Sequence, residues 1–238
     1  MTANIETCFS PALFHLYNSK NAHVVVVDIL RATSVITTMF INGVEKVIPV
    51  KDLDTAREFK KKGYLVVAER DGKKLDFADF GNSPLYFTPE IVKGKTLVYS
   101  TTNGTNAITI GKNSKSVIIG SYLNFTAILR YLEQKNDNIL LLCAGWKDKF
   151  NLEDTLFCGA LASKLLENKR FSTICDSTLA AIDLWNLAKK DVLKYIDKVA
   201  QRNRLKKIGL DNVIPYCHDF DRTEIIPVFT QDAIIKLI

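Results

Sequence analysis

Short apolar runs recur along this chain, and each is cut off by a cluster of polar residues. The strongest is 24–27, four valines in succession that end at Asp28. An apolar run without alternation predicts a strand covered on both faces, as in a parallel sheet. Arg31, Ala32, Thr33 and Ser34 follow at once; residues 34–42 then take helical spacing and close at Gly43. Ligands of open parallel sheets bind just beyond the carboxyl ends of strands, so this junction is the first place to look for a site.

The same pattern predicts strands over 5–9, 46–50, 64–68, 96–100, 116–120 and 138–143, with a short one over 171–176. Helices are predicted over 53–62, 101–110, 124–134, 152–168, 177–189 and 191–202, with further starts at Ser10–Pro11 and Ser83–Pro84, where Pro follows a capping Ser. Residues 71–82 show no period and read as a long loop. Residues 213–217 and 224–229 read as extended runs, and the Pro in each predicts edge positions. Strands alternating with helices predict an α/β fold, layered α/β/α around a mainly parallel sheet. No repeat, low-complexity tract or linker divides residues 1–238, so one unit is expected; two similar α/β halves meeting at a cleft are the alternative.

Composition narrows the function. With 47% hydrophobic residues the chain can fill a core, yet no 18-residue apolar run predicts a membrane helix and the N-terminus lacks a signal-peptide pattern. Five cysteines without a CxxC pair predict free thiols and a cytoplasmic setting. A net charge of +6 points to anionic partners. No nucleic-acid motif accompanies that charge, so a small anionic molecule is the expected partner, with no nucleic acid and no membrane; a homodimer is allowed. The three histidines share no metal-ligand spacing, which argues against zinc, and neither a GxSxG elbow nor a Walker loop is present.

The polar strand ends carry the candidate chemistry. In a parallel sheet they would share one edge. Asp28 could serve a site or simply cap the strand–helix turn. Arg31 and Arg70 could fork onto a phosphate, sulfonate or carboxylate, or pair with a neighbouring acid. In STTNGT at 100–105, Thr102, Asn103, Gly104 and Thr105 stand where a helix begins, suited to an oxyanion or to plain capping. Glu153 and Asp154 fall in a first helical turn, where the dipole favours acids whatever their role; one of them could hold a hard divalent cation.

VDILRATS at 27–34, AER at 68–70, GNSP at 81–84, STTNGT at 100–105, CAG…LED at 143–154 and DS at 176–177 together resemble the 2-phosphosulfolactate phosphatase family. They run in the family's order over about three-quarters of the chain. The resemblance implies Mg²⁺-dependent hydrolysis of 2-phospho-3-sulfolactate to 3-sulfolactate and phosphate, a step of coenzyme M biosynthesis in methanogens. It carries over to Asp28, Arg31, Thr33, Ser34, Glu69, Asn82, Thr102, Asn103, Gly104, Glu153 and Asp154. Two segments depart from the family pattern: Trp146-Lys147-Asp148-Lys149 after CAG, and 201–205, where only Arg204–Leu205 match.

On this reading Asp28, Arg31 and Glu69 are catalytic, and Asp28 with Glu153 or Asp154 holds Mg²⁺. Arg31, Thr33, Ser34, Arg70, Asn82, the 102–105 turn and Arg204 bind substrate. Either a metal-activated water or Asp28 itself attacks phosphorus. Leu30 stands where haloacid-dehalogenase phosphatases carry their second Asp, which favours water. Phosphatases of other small anionic esters, or a non-enzymatic anion or nucleic-acid binder, are the rival readings.

Overall fold

The computed structural model describes residues 2–237. Its strands are β1 (Ala3–Cys8), β2 (Ala22–Val27), β3 (Lys46–Pro49), β4 (Leu65–Arg70), β5 (Lys73–Lys74), β6 (Thr96–Ser100), β7 (Ser116–Gly120), β8 (Asn138–Cys143), β9 (Phe171–Ser172), β10 (Pro227–Thr230) and β11 (Ala233–Lys236). The helices are α1 (Ala32–Ile41), α2 (Leu53–Lys61), α3 (Pro89–Val92), α4 (Gly104–Ile110), α5 (Phe125–Lys135), α6 (Leu152–Leu166), α7 (Asp176–Ala188), α8 (Val192–Tyr195), α9 (Ala200–Lys207) and α10 (Ile214–Cys217). All eleven strands belong to one sheet, ordered β5-β4-β6-β3-β11-β10-β7-β2-β8-β1-β9. No helix among the described residues is long and apolar enough to cross a membrane.

The valine run behaves as its composition demands. Every residue of β2 is buried, and successive side chains enter opposite cores. Val24 and Val26 pack with Val35, Ile36 and Met39 of α1 and Ile108 of α4. Val25 and Val27 pack with Ile128 of α5 and Leu156, Phe157 and Leu161 of α6. Helices therefore cover both faces of the sheet, and β2 lies in its interior with β7 and β8 as parallel neighbours.

The C-terminal segment differs from expectation. Residues 213–217 are helical, because Pro215 sits in the first turn of α10, where its missing N–H costs nothing. The extended run 224–229 contracts to β10, and with β11 it forms a hairpin in the middle of the sheet, not at an edge. Pro227 is tolerated there as the first residue of its strand. Residues 191–202 break into α8, a tight turn and α9, which runs on to Lys207, while the loop after β4 opens with the hairpin partner β5. Ser10–Pro11 and Ser83–Pro84 start only short 3-10 turns, and the strand expected over 171–176 is the two-residue β9.

The hairpin also changes how the site is assembled. Three successive antiparallel pairings, β7–β10, β10–β11 and β11–β3, separate two parallel blocks, so these run oppositely along the ladder. The strand ends therefore do not share one edge of a parallel sheet. The turn after β2 nevertheless crosses to those after β4 and β6: Arg31 Nη2 donates to Gly72 O at 3.1 Å, and Gly104 packs directly against Ala32 and Asp28.

Candidate active site

A narrow pocket lies at this crossing, lined by Asp28, Leu30, Arg31, Glu69, Gly72, Asn82, Thr101, Asn103, Gly145, Trp146, Asn151 and Gln201. Its enclosed space is about 20 Å³, the room of one or two waters. A wider hollow of about 510 Å³ opens beside Lys20, Lys115 and Asp137 at the amino ends of β2 and β8. Its charges satisfy one another, with Asp137 accepting from Lys115 and His23, and none of its lining side chains leaves a buried polar atom unpartnered. The narrow pocket is the one that gathers the candidate residues Asp28, Arg31, Glu69, Asn82 and Asn103.

Asp28 does two things at once. Its Oδ1 accepts the Ala32 N–H at 3.1 Å, so it caps the first turn of α1, and the same carboxylate lines the pocket. Thr33 Oγ1 accepts the Asp28 N–H at 3.0 Å, and Ser34 Oγ donates to Ile29 O at 2.9 Å. Thr33 and Ser34 thus shape the turn from beneath and do not line the pocket. Arg31 is different. It is 3% exposed, and its Nε and Nη1 have no partner. Buried donors are almost always satisfied, so this guanidinium presents two unspent N–H directions to an acceptor that the chain does not supply. Burial pulls its pKa below the usual range, against the nearby charges of Glu69 and Asp28.

Glu69 lines the pocket with both oxygens committed: Oε1 accepts the Thr102 N–H at 2.7 Å and Oε2 the Gly72 N–H at 2.6 Å. It holds the turn after β6 against the β4–β5 hairpin. Arg70 faces elsewhere. It donates to the carbonyls of Glu69, Ser100 and Lys51 and to Ser100 Oγ, tying β4 to β6, and does not line the pocket. Thr101 and Thr105 close a reciprocal ring, each backbone N–H on the other's hydroxyl, while Thr102 Oγ1 accepts the Asp71 N–H. Thr102 and Thr105 are thereby spent on the turn. Asn103 and Asn82 line the pocket; Asn103 accepts the Lys147 N–H and Asn82 accepts Tyr99 Oη. Gly104 permits close packing of α4 on α1: a Cβ there would stand 2.4 Å from Ala32 Cβ and 3.1 Å from Asp28 Oδ2.

The acids of α6 also divide. Asn151 caps the helix by accepting the Asp154 N–H. Asp154 is fully buried and stitches two strand ends together, accepting from Ile29 N–H at 2.8 Å and Gly145 N–H at 3.3 Å. Glu153 is 2% exposed and its Oε1 has no partner. Burial pushes Asp28 up to about 6, aided by the charge of Glu69. Burial and the charge of Asp28 push Glu153 up to about 7, and burial with the charges of Asp28 and Glu153 raises Asp154 well above the carboxylate range. Among the described residues no three His, Cys, Asp or Glu side chains converge as a ready-made metal cage. Glu153 does not line the pocket but lies within reach of the charge of Asp28; with Asp154 spent on amides, Asp28 and Glu153 are the pair that could hold a cation.

Leu30, Gly72, Thr101, Gly145, Trp146, Asn151 and Gln201 also line the pocket and were not among the residues nominated from sequence. Gly72 and Gly145 take left-handed φ values of 83° and 65°, and a Gly just after a strand is the signal that would have found them. Gln201 carries no such signal, since it reaches the pocket by donating to Leu30 O, 171 positions away. Arg204 does not line the pocket but stands behind Gln201: its Nε donates to Gln201 Oε1 and its guanidinium lies over Trp146.

The family model described as 2-phosphosulpholactate phosphatase matches residues 8–232. Proteins named probable 2-phosphosulfolactate phosphatase are similar over nearly their whole length. One from Caldanaerobacter subterraneus subsp. tengcongensis is 36% identical over 90% of this chain and 92% of its own. One from Clostridium novyi is 36% identical over 91% and 93%, and one from Thermotoga maritima 37% identical over 89% and 90%. On the family match and these identities, the chain belongs to the 2-phosphosulfolactate phosphatase family.

Proposed function

We propose that this protein is a Mg²⁺-dependent phosphatase that hydrolyses 2-phospho-3-sulfolactate to 3-sulfolactate and phosphate. One observation supports this most: buried Arg31, with two unpartnered donors, lines the same pocket as Asp28, whose charge reaches the buried Glu153. A phosphomonoester needs its transferred group neutralised and an attacking water oriented. Arg31 Nε and Nη1 are a fork for two phosphoryl oxygens. Asp28, ionised above about 6, accepts the proton of the attacking water. Asn103 contributes a side-chain amide at the same wall, while Glu69 and Asp154 fix the turns that carry these groups.

The donor set fits magnesium. That ion uses one or two carboxylates and fills its shell with waters and substrate oxygens, and Asp28 with Glu153, whose Oε1 is buried and unpartnered, are the residues that would hold it. When bound, Mg²⁺ supplies positive charge at the phosphoryl oxygens.

The test is phosphate release from 2-phospho-3-sulfolactate, 2-phospholactate and phosphoglycerate, with Mg²⁺ and with EDTA. Fastest turnover of the sulfonated ester, lost in EDTA, is the expected result. Faster turnover of another ester would replace the substrate, and turnover untouched by EDTA would remove the metal. Acid quenching during turnover should trap no phosphoryl group on the protein; an adduct on Asp28 would make that residue the nucleophile.

A further inference from the structure

The pocket mouth is framed by α9, the turn after β2 and the loop after β8, which lie far apart in sequence. Gln201, buried in the first turn of α9, donates Nε2 to Leu30 O at 2.9 Å and accepts the Arg204 Nε–H on Oε1 at 2.6 Å. Three residues on, the Arg204 guanidinium stacks on the Trp146 ring, 4.2 Å from its centroid. Trp146 in turn follows Gly145, whose N–H is held by Asp154. Gln201 and Trp146 both line the pocket, and Arg204 stands within electrostatic reach of Glu153.

This arrangement does more than decorate the rim. A guanidinium is planar, and here one N–H is bound to Gln201 and one face is covered by indole. What remains is the in-plane edge carrying the terminal nitrogens, the edge that pairs with an oxyanion in two-point fashion. Arg31 presents its own fork in the interior. Arg31 therefore lines the pocket itself, while Arg204 stands one contact behind it, on the lining residues Gln201 and Trp146; Gln201 ties Arg204 to the turn after β2 that also carries Arg31.

We propose that Gln201, Arg204 and Trp146 act as a unit that sets specificity for the sulfonate of the substrate: Arg204 binds it, and Gln201 and Trp146 position Arg204. The proposal rests on the phosphatase reading above. With the phosphoryl group at Arg31, the sulfonate reaches farthest toward the rim, because its sulfur is one bond farther from phosphorus than the carboxylate carbon.

The test is a pair of steady-state measurements, on 2-phospho-3-sulfolactate and on 2-phospholactate, which keeps the frame but lacks the sulfonate. The readout is the ratio of the two kcat/KM values. Trp146→Ala should lower that ratio about tenfold, the worth of a partly desolvated cation–π contact, mainly by raising KM for the sulfonated ester. Trp146→Phe, which restores an aromatic face, should recover most of it. Arg204→Ala should lower the ratio further, by about a hundredfold. Titration calorimetry with 3-sulfolactate should show the same order of weakening without any turnover. An unchanged ratio in Trp146→Ala and Arg204→Ala, or a loss that Phe fails to recover, overturns the clamp while leaving the phosphatase standing. Wild-type protein that hydrolyses neither ester and binds no sulfolactate overturns both.

Discussion

Replacing Gly104 by Ala tests how closely the site depends on the contact between α1 and α4. The added Cβ would lie 2.4 Å from Ala32 Cβ, 3.1 Å from Asp28 Oδ2 and 3.4 Å from Thr101 Oγ1. Ordinary contact begins at 3.4 Å, so the two methyl carbons must part by about 1 Å. Ala32 cannot yield alone: it is fully buried, and its N–H is bound to Asp28 Oδ1. Either α4 retreats and carries Asn103 with it, or the Asp28 turn is pushed off its position. Overpacking of this kind costs about 1–3 kcal/mol, which for a chain of this size lowers Tm by roughly 2–12 °C.

The effect on catalysis should be larger, because a displacement of about 1 Å at reacting groups costs on the order of a hundredfold in rate. A fold with about 5–15 kcal/mol of stability keeps the variant native at 25 °C, so that loss would not be unfolding. Thermal denaturation followed by circular dichroism, alongside kcat from phosphate release, measures both. Gly63 serves as the comparison: its φ of 86° also disfavours Ala, but nothing lies within 4 Å of the added carbon and it is remote from the pocket. Gly63→Ala should lower Tm and spare kcat. Wild-type kcat in Gly104→Ala would refute the claim that this contact places Asp28 and Asn103.

Asp154→Asn sets an amide NH₂ against either the Ile29 or the Gly145 N–H in a fully buried position. It should cost about 3 kcal/mol in urea denaturation, and a loss near zero would deny Asp154 its tying role. His218 donates Nδ1–H to Ile214 O, its buried Nε2 has no partner, and burial pulls its pKa from 6.5 down to about 4. The unfolded chain then binds more protons between these values, so this group's stabilisation is complete above 6.5 and is lost as pH falls toward 4. The loss is up to about 3 kcal/mol. The raised acids Asp28 and Glu153 act oppositely over pH 4 to 7, so the signal is the difference between wild type and His218→Phe in urea at pH 7 and 4.5; equal differences at both would refute it. Mg²⁺ should raise Tm more at pH 8 than at pH 5, since Asp28 and Glu153 hold protons at the lower value. Equal shifts would remove them as ligands.

The parts of this fold that were legible in sequence are those decided locally. Four adjacent valines are tolerated only where both faces are covered, and Asn151 ahead of Glu153 and Asp154 marks a helix start whatever surrounds it. The central hairpin was not legible, because Pro227 reads as an edge signal and nothing in four-residue β10 or β11 says which strands will flank them. That hairpin reverses one parallel block against the other, so the turns after β2, β4 and β6 meet through contacts between distant segments and not along one sheet edge.

Within the site the limit has a different cause. Arg31 and Arg70 both follow or flank an acid at a strand end, Asp28 and Glu69, while Glu153 and Asp154 open the helix after β8. What separates them is which polar atoms the rest of the chain has already satisfied. Arg70 is spent on three carbonyls, Glu69 on two amides and Asp154 on two more. Arg31 and Glu153 keep buried atoms without partners. Each of these three also takes a partner from a distant segment: Ser100 for Arg70, Thr102 for Glu69, and Ile29 for Asp154, 125 positions away. Residue type and spacing nominate a site; the unspent hydrogen-bonding capacity left after folding decides which nominees can meet a substrate.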